Sequence, residues 1–258
     1  MQPVRRSTRC SFPKRFVLQR ALTSVGARLR FASVALGQNE PMAITTVLFD
    51  LDGTLIDSSP GIRRCVDESL AHHGFPSITD EQFSSFIGPP LTTGFGSVVG
   101  DDSLIDSLIT VYRQHYGAGG MYEYTVYDGI PDVLTRLNEA GFRLAVATSK
   151  RTAFAQPVVG HAGLTSQFEF VVGSERDGPG AEKPVVIGAV LEQLRIEDPS
   201  TVVMIGDREH DGLGAAAIGT DFIGVSWGFG SVEELTDAGA RHVAAHPDEL
   251  DVIVAALS

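Results

Sequence analysis

Ile44-Thr-Thr-Val-Leu-Phe-Asp-Leu-Asp-Gly-Thr54 is the stretch that decides the fold. Its first six residues form a short apolar and β-branched run, the pattern of a strand buried on both faces. Two carboxylates, Asp50 and Asp52, follow at once, and Gly53 allows a sharp turn there. A D-x-D-G-T string arises by chance in a chain of this length only roughly three times in a thousand, taking each residue type at about 5–7%. Its place directly after a strand-like run makes it a candidate for chemistry.

Downstream the texture turns helical. Ser58-Ser-Pro-Gly61 offers an N-cap and a proline for a first turn, and Ile62, Val66 and Leu70 recur at helical spacing. Thr79-Asp-Glu-Gln82 has the form of a capping box opening a short helix through Phe83 and Phe86, which Gly88-Pro-Pro90 ends. Asp101–Tyr116 is a further amphipathic helix. No strand pattern stands out between Asp57 and Tyr127, so the sequence predicts a helical domain over 58–127.

From Asp128 helices and apolar strands alternate. Strands are expected at Phe142–Thr148, Phe168–Val172, Thr201–Ile205 and Asp221–Ser226, with a short edge strand at Arg241–Ala244. Helices are expected between and after them, the last at Pro247–Ala256. This predicts an α/β fold: a Rossmann-like parallel sheet over 42–57 and 128–258, covered by helices on both faces, with an α-helical cap inserted after its first strand. In such sheets ligands bind beyond the carboxyl ends of the strands.

Charge separates one further segment. The 258 residues carry a net charge of −12, yet residues 1–41 hold eight Lys/Arg and one acid. The remaining 217 residues therefore carry 12 basic and 31 acidic groups, a net of −19. Residues 1–41 are expected to be a disordered basic tail, a targeting segment or the product of a mis-assigned start. A cytoplasmic location is expected, or an organelle if 1–41 is a transit peptide. The acidic remainder argues against binding nucleic acid through phosphate contacts. Cys10 and Cys65 make neither a disulfide framework nor a zinc site. No run of eighteen apolar residues offers a membrane span.

Polar groups stand at every strand end. The first strand gives Asp50, Asp52 and Thr54; the second gives Thr148-Ser149-Lys150. The loop after the third holds Glu182-Lys183-Pro184, and the fourth gives Gly206-Asp207 and, four residues on, Asp211. Clustered carboxylates need neutralising, and a hard divalent cation, Mg²⁺, suits their oxygens. A cation with Lys183 and hydroxyls makes a site for a phosphoryl group. Asp50 can then attack phosphorus, and Asp52 can serve the leaving-group oxygen as acid and then base. Taken singly, each piece has a plainer reading: Asp207, Asp211, Thr148 and Ser149 all suit helix caps. Lys150 and Lys183, however, are the only lysines after Met42, and both lie in strand-end loops.

The order DxDGT, a strand ending in Thr-Ser, Lys-Pro, then GDxxxD resembles the haloacid dehalogenase (HAD)-like hydrolase superfamily over Ile44–Ser258. The stretches Phe49–Gly61, Ile87–Leu91 and Trp227-Gly-Phe-Gly230 are most similar to its phosphoglycolate-phosphatase and 5′-nucleotidase-like group. The resemblance implies a Mg²⁺-dependent phosphatase of small phosphorylated metabolites, with Asp50 as nucleophile and Asp52 as general acid/base. It implies Thr54, Thr148, Ser149 and Lys183 at the phosphoryl group. It also implies Mg²⁺ on Asp50, the Asp52 carbonyl, Asp207 and Asp211. The alternatives are a phosphotransferase, either mutase or protein tyrosine kinase, and a non-catalytic regulatory protein on the same fold. The kinase-like relatives have a tyrosine in the stretch where this chain has Phe229. Oligomeric state is not legible.

Overall fold

The computed structural model describes residues 43–175 and 180–258; the basic segment 1–41 lies outside the described residues. β1 (Thr46–Phe49) is buried throughout. A two-residue strand, β2 (Ile56–Asp57), leads into the helical insert. The insert contains α1 (Ser59–His72), α2 (Asp80–Phe83), α3 (Leu91–Val99) and α4 (Ile105–Gly117). The chain returns through β3 (Thr125–Val126), which pairs antiparallel with β2.

The alternating half follows as expected: α5 (Ile130–Glu139), β4 (Arg143–Arg151), α6 (Thr152–His161), β5 (Phe170–Ser174) and α7 (Lys183–Leu194). Then come β6 (Val202–Gly206), α8 (Glu209–Ile218), β7 (Asp221–Val225), α9 (Val232–Asp237), β8 (His242–Ala244) and α10 (Leu250–Ala256). The six long-range strands form one parallel sheet in the order β5-β4-β1-β6-β7-β8. Side-chain alternation along β1 sends Val47 and Phe49 into a cluster with α5, α6 and α10. It sends Leu48 into a second cluster with α7 and α8.

The insert has its own apolar cluster, including Val66, Leu70, Phe95 and Leu108. The capping box at its second helix forms as predicted: Gln82 N donates to Thr79 Oγ1 at 3.2 Å and Thr79 N to Gln82 Oε1 at 2.9 Å. The N-cap before α1 differs from expectation. Ser58 makes no capping bond, and Asp57 instead accepts from the backbone and hydroxyl of Ser59 at 3.0 and 2.6 Å. Two elements go beyond the sequence reading. The β2–β3 pair brings a strand into the span expected to be wholly helical. The α3 helix fills a stretch read only as a break.

Candidate active site

Sheet register gathers the polar strand ends. Phe49 lies opposite Val146 on β4 and Ile205 on β6. Asp50 therefore emerges between Thr148 and Asp207, where the sheet order changes direction around β1. Gly53 has φ +82°, and a Cβ there would run into the Asp207 carboxylate. The turn after β1 thus requires glycine for its backbone conformation and for this close approach.

Lys183, 4% exposed, reaches from the start of α7 to the sheet. Its ammonium pairs with Asp50 Oδ1 at 2.9 Å and Asp211 Oδ1 at 2.7 Å, and donates to the Ala147 carbonyl at 3.1 Å. Burial lowers its affinity for a proton, but Asp211 and Asp50 outweigh that and hold it above its ordinary value. Burial pushes Asp50 up to about 6, against the pull of Lys183. Asp207 is raised well above the carboxylate range by burial and by the neighbouring Asp211 and Asp50. Its oxygens accept from Thr54 Oγ1 at 3.2 Å and from Phe229 N at 2.9 Å, both neutral donors.

Asp50, Asp207 and Asp211 each offer an oxygen within 4.8 Å of the others. Three buried carboxylates facing one ammonium leave uncompensated negative charge. The donor set is all hard oxygen, so these residues fit a divalent cation of the Mg²⁺ type.

Asp50, Asp52, Thr148, Ser149, Lys183 and Asp211 line one cleft of about 290 Å³. Asp207 lies behind it. Thr54 is also set back, fully buried with its hydroxyl on Asp207, so the structure gives it a bracing contact rather than a place on the cleft wall. Thr148 accepts from Lys150 N at 3.2 Å. Asp211 also serves as a helix cap, accepting from Arg208 N at 3.1 Å.

Sequence reasoning left the second lysine without a role. Lys150 grips both oxygens of Asp52, at 2.6 and 2.8 Å. Its scarcity and strand-end position were the available signal. The insert closes the other side of the cleft with the loop Ile87–Leu91 and with Tyr112 and Tyr116. Arg208 ties that loop to the sheet side: its guanidinium donates to the Ile87 carbonyl at 2.6 Å and to Glu234 at 2.8 Å. His210 also lines the cleft, with Nδ1 sealed and unpartnered among the described residues. Arg63 and Arg64 turn elsewhere, to Asp80 at 2.6 Å and to Glu123 at 2.7 Å. Trp227 donates to the Thr54 carbonyl at 3.1 Å and packs on the core. No helix among the described residues is long and apolar enough to cross a membrane.

Comparison with known proteins agrees with this geometry. The family described as haloacid dehalogenase-like hydrolase matches residues 47–225. A 5′-nucleotidase of Pseudomonas aeruginosa is 39% identical over 200 residues, covering 77% of this chain and 90% of that protein. Tyrosine-protein kinase PtkA of Mycobacterium tuberculosis is 37% identical over 211 residues, covering 82% and 72%. The crystal structure of a predicted phosphatase from Clostridium acetobutylicum superposes with a TM-score of 0.78 at 40% identity, covering 84% of this chain and 100% of that one.

Proposed function

The chain belongs to the haloacid dehalogenase-like hydrolase family and is a phosphatase of it, and we propose that it hydrolyses small phosphorylated metabolites in the cytoplasm, such as phosphoglycolate or nucleoside monophosphates, with Mg²⁺ and an aspartyl-phosphate intermediate. The observation that carries this reading is the convergence of Asp50, Asp52, Thr148 and Lys183 on one cleft.

Asp50 is the nucleophile. Its carboxylate oxygen bonds to phosphorus as the ester P–O bond breaks, and Asp52 gives its proton to the leaving oxygen. Water then attacks the phosphorus of the aspartyl-phosphate and Asp52 takes the proton. Phosphate departs and the Asp50 carboxylate is restored. Lys183 orients Asp50 through its 2.9 Å contact and offsets phosphoryl charge, with Thr148 and Ser149 as hydrogen-bond donors to the phosphoryl oxygens. Asp50, the Asp52 carbonyl, Asp207 and Asp211 would hold Mg²⁺, which supplies positive charge against the phosphoryl oxygens. Residues 58–127 act as the cap that closes over the site and excludes bulk water.

The test is phosphate release from p-nitrophenyl phosphate and from a panel of phosphorylated metabolites, with Mg²⁺ and with EDTA. Mg²⁺-dependent turnover is expected; a folded protein inert toward all of them would sink the reading. Similarity to PtkA favours phosphoryl transfer to tyrosine as the second reading. Labelled ATP separates the two: hydroxylamine-stable label on protein tyrosine supports transfer, and free phosphate with at most hydroxylamine-labile label on Asp50 supports hydrolysis.

A further inference from the structure

The insert's side of the cleft has a character that phosphoryl chemistry does not demand. Tyr112 and Tyr116 lie one turn apart on α4 and both line the cleft. Their rings stack with centres 5.3 Å apart and planes 13° from parallel. Phe154 meets Tyr116 edge-on at 5.3 Å, and the Lys150 ammonium lies 5.1 Å from the Tyr116 ring centre. The pair is thus fixed in place between the insert and the Lys150–Asp52 contact.

Both tyrosines are closed off from the exterior, at 6% and 3% exposure. Among the described residues neither hydroxyl makes a hydrogen bond, and neither oxygen is sealed, so each keeps access to the space its ring borders. Burial above all pushes both phenols well above their ordinary value, so both stay protonated and able to donate. Phenylalanine would fill the same volume with no polar atom to satisfy. Two donors without an internal partner, on a rigid aromatic wall, take their acceptors from whatever occupies the cleft.

We propose that Tyr112 and Tyr116 are specificity determinants that admit a planar leaving group bearing hydrogen-bond acceptors, the chemistry of the base in a nucleoside monophosphate, in preference to a short anionic group such as glycolate. This rests on the phosphatase reading above. A cavity of about 290 Å³ accommodates a ring system, whereas glycolate would leave most of it unfilled. The positive edges of the aromatic rings and the phenol protons suit carbonyl oxygens and ring nitrogens.

The experiment compares kcat/KM for adenosine and uridine 5′-monophosphates, ribose 5-phosphate and phosphoglycolate with the full chain and Mg²⁺. All are esters of primary alcohols, so intrinsic reactivity is similar and binding of the base decides. The nucleotides should exceed ribose 5-phosphate by at least about tenfold. Tyr112→Phe and Tyr116→Phe should each lower that ratio about fivefold, the worth of one hydrogen bond. A merely structural role would leave the ratio where it was. Ribose 5-phosphate or phosphoglycolate turned over as well as the nucleotides would overturn the proposal, as would a ratio unmoved in both variants. Turnover of p-nitrophenyl phosphate keeps the two readings apart: if it persists while the ratio fails, only the base subsite falls. Should no ester turn over, calorimetric binding of nucleotide against ribose 5-phosphate to the Asp50→Asn protein decides the subsite independently.

Discussion

The two walls of the cleft are built on different principles. On the sheet side, short loops after parallel strands carry buried carboxylates and a lysine whose partners lie within 3.1 Å. On the insert side, α4 and the Ile87–Leu91 loop present mainly aromatic and apolar surface, with Arg113 also on the cleft wall and charges such as Arg63 and Asp80 paired on the outer face. The sheet side places reacting groups through backbone register, which tolerates little displacement. The insert side shapes a cavity through side-chain packing, which can be recut without disturbing the strands. In the proposed reading, chemistry falls to the first wall and selection to the second.

Substitutions on the sheet side should break this division most severely. Asp50→Asn should lower p-nitrophenyl phosphate hydrolysis by about a thousandfold or more while circular dichroism stays native, because the nucleophile is lost. An active, folded variant would dismiss the assignment. Lys183→Met leaves Asp50 and Asp211 buried without their cation. Loss of one partner of a buried pair costs about 3–5 kcal/mol, so a large fall in Tm is expected along with loss of activity. A Tm within a degree of the parent would show that the ammonium is not needed for stability.

The sheet side should also answer to pH in the metal-free protein. The Asp50 carboxyl is raised from 3.8 to about 6 in the folded state, so the folded form binds its proton more tightly than the unfolded chain. Its stabilising contribution is present below about 4 and is lost as pH rises through about 6. In EDTA, the Tm difference between the parent and Asp50→Asn should therefore move against the parent from pH 4 to pH 7. Mg²⁺ at pH 7 should restore it. A difference that is flat across this window would contradict the picture of an under-compensated carboxylate cluster.

Contacts joining the walls should give smaller effects. Arg208→Ala releases the Ile87 carbonyl, and KM should rise by about tenfold or more, the lower end of the scale of one charged hydrogen bond, with kcat less affected. An equal fall in kcat with KM unchanged would place Arg208 in the chemistry instead. Arg63→Ala, on the outer face of α1, should leave kinetics and Tm unchanged. A rise in KM there would mean that the insert binds substrate through a face the cleft does not touch.

Much of the sheet side was legible in the sequence. Buried parallel strands demand continuous apolar runs, and the groups after them must sit at the carboxyl edge whatever the loop details. Asp50, Thr148 and Asp207 follow from that rule alone. The partner of Asp52 did not, because β4 runs to Arg151 and only its path brings Lys150 across. The role of Thr54 was equally hidden; its distance from Asp207 in sequence is closed by the β1–β6 pairing.

The insert was less legible. β2 and β3 have two residues each, too few for periodicity to register. In α3, Gly94 and Gly96 are poor helix formers, and no capping side chain marks its start. Packing overrides that weakness, since a Cβ at Gly94 would come within 2.6 Å of the Phe86 ring. Tyr112 and Tyr116 fall within the amphipathic helix read over Asp101–Tyr116. Whether they met a core or a cleft was not legible.

By itself the sequence determined the order of strands and helices in the alternating half, the residues delivered to the strand ends and the family to which they point. These depend on local periodicity and on a motif whose atoms lie close along the chain. Only the tertiary structure decided which carboxylate each lysine serves, that Thr54 braces Asp207, and that two tyrosines of the insert border the cleft. Those pairings depend on how helices pack across the sheet, a property set by contacts between residues tens of positions apart.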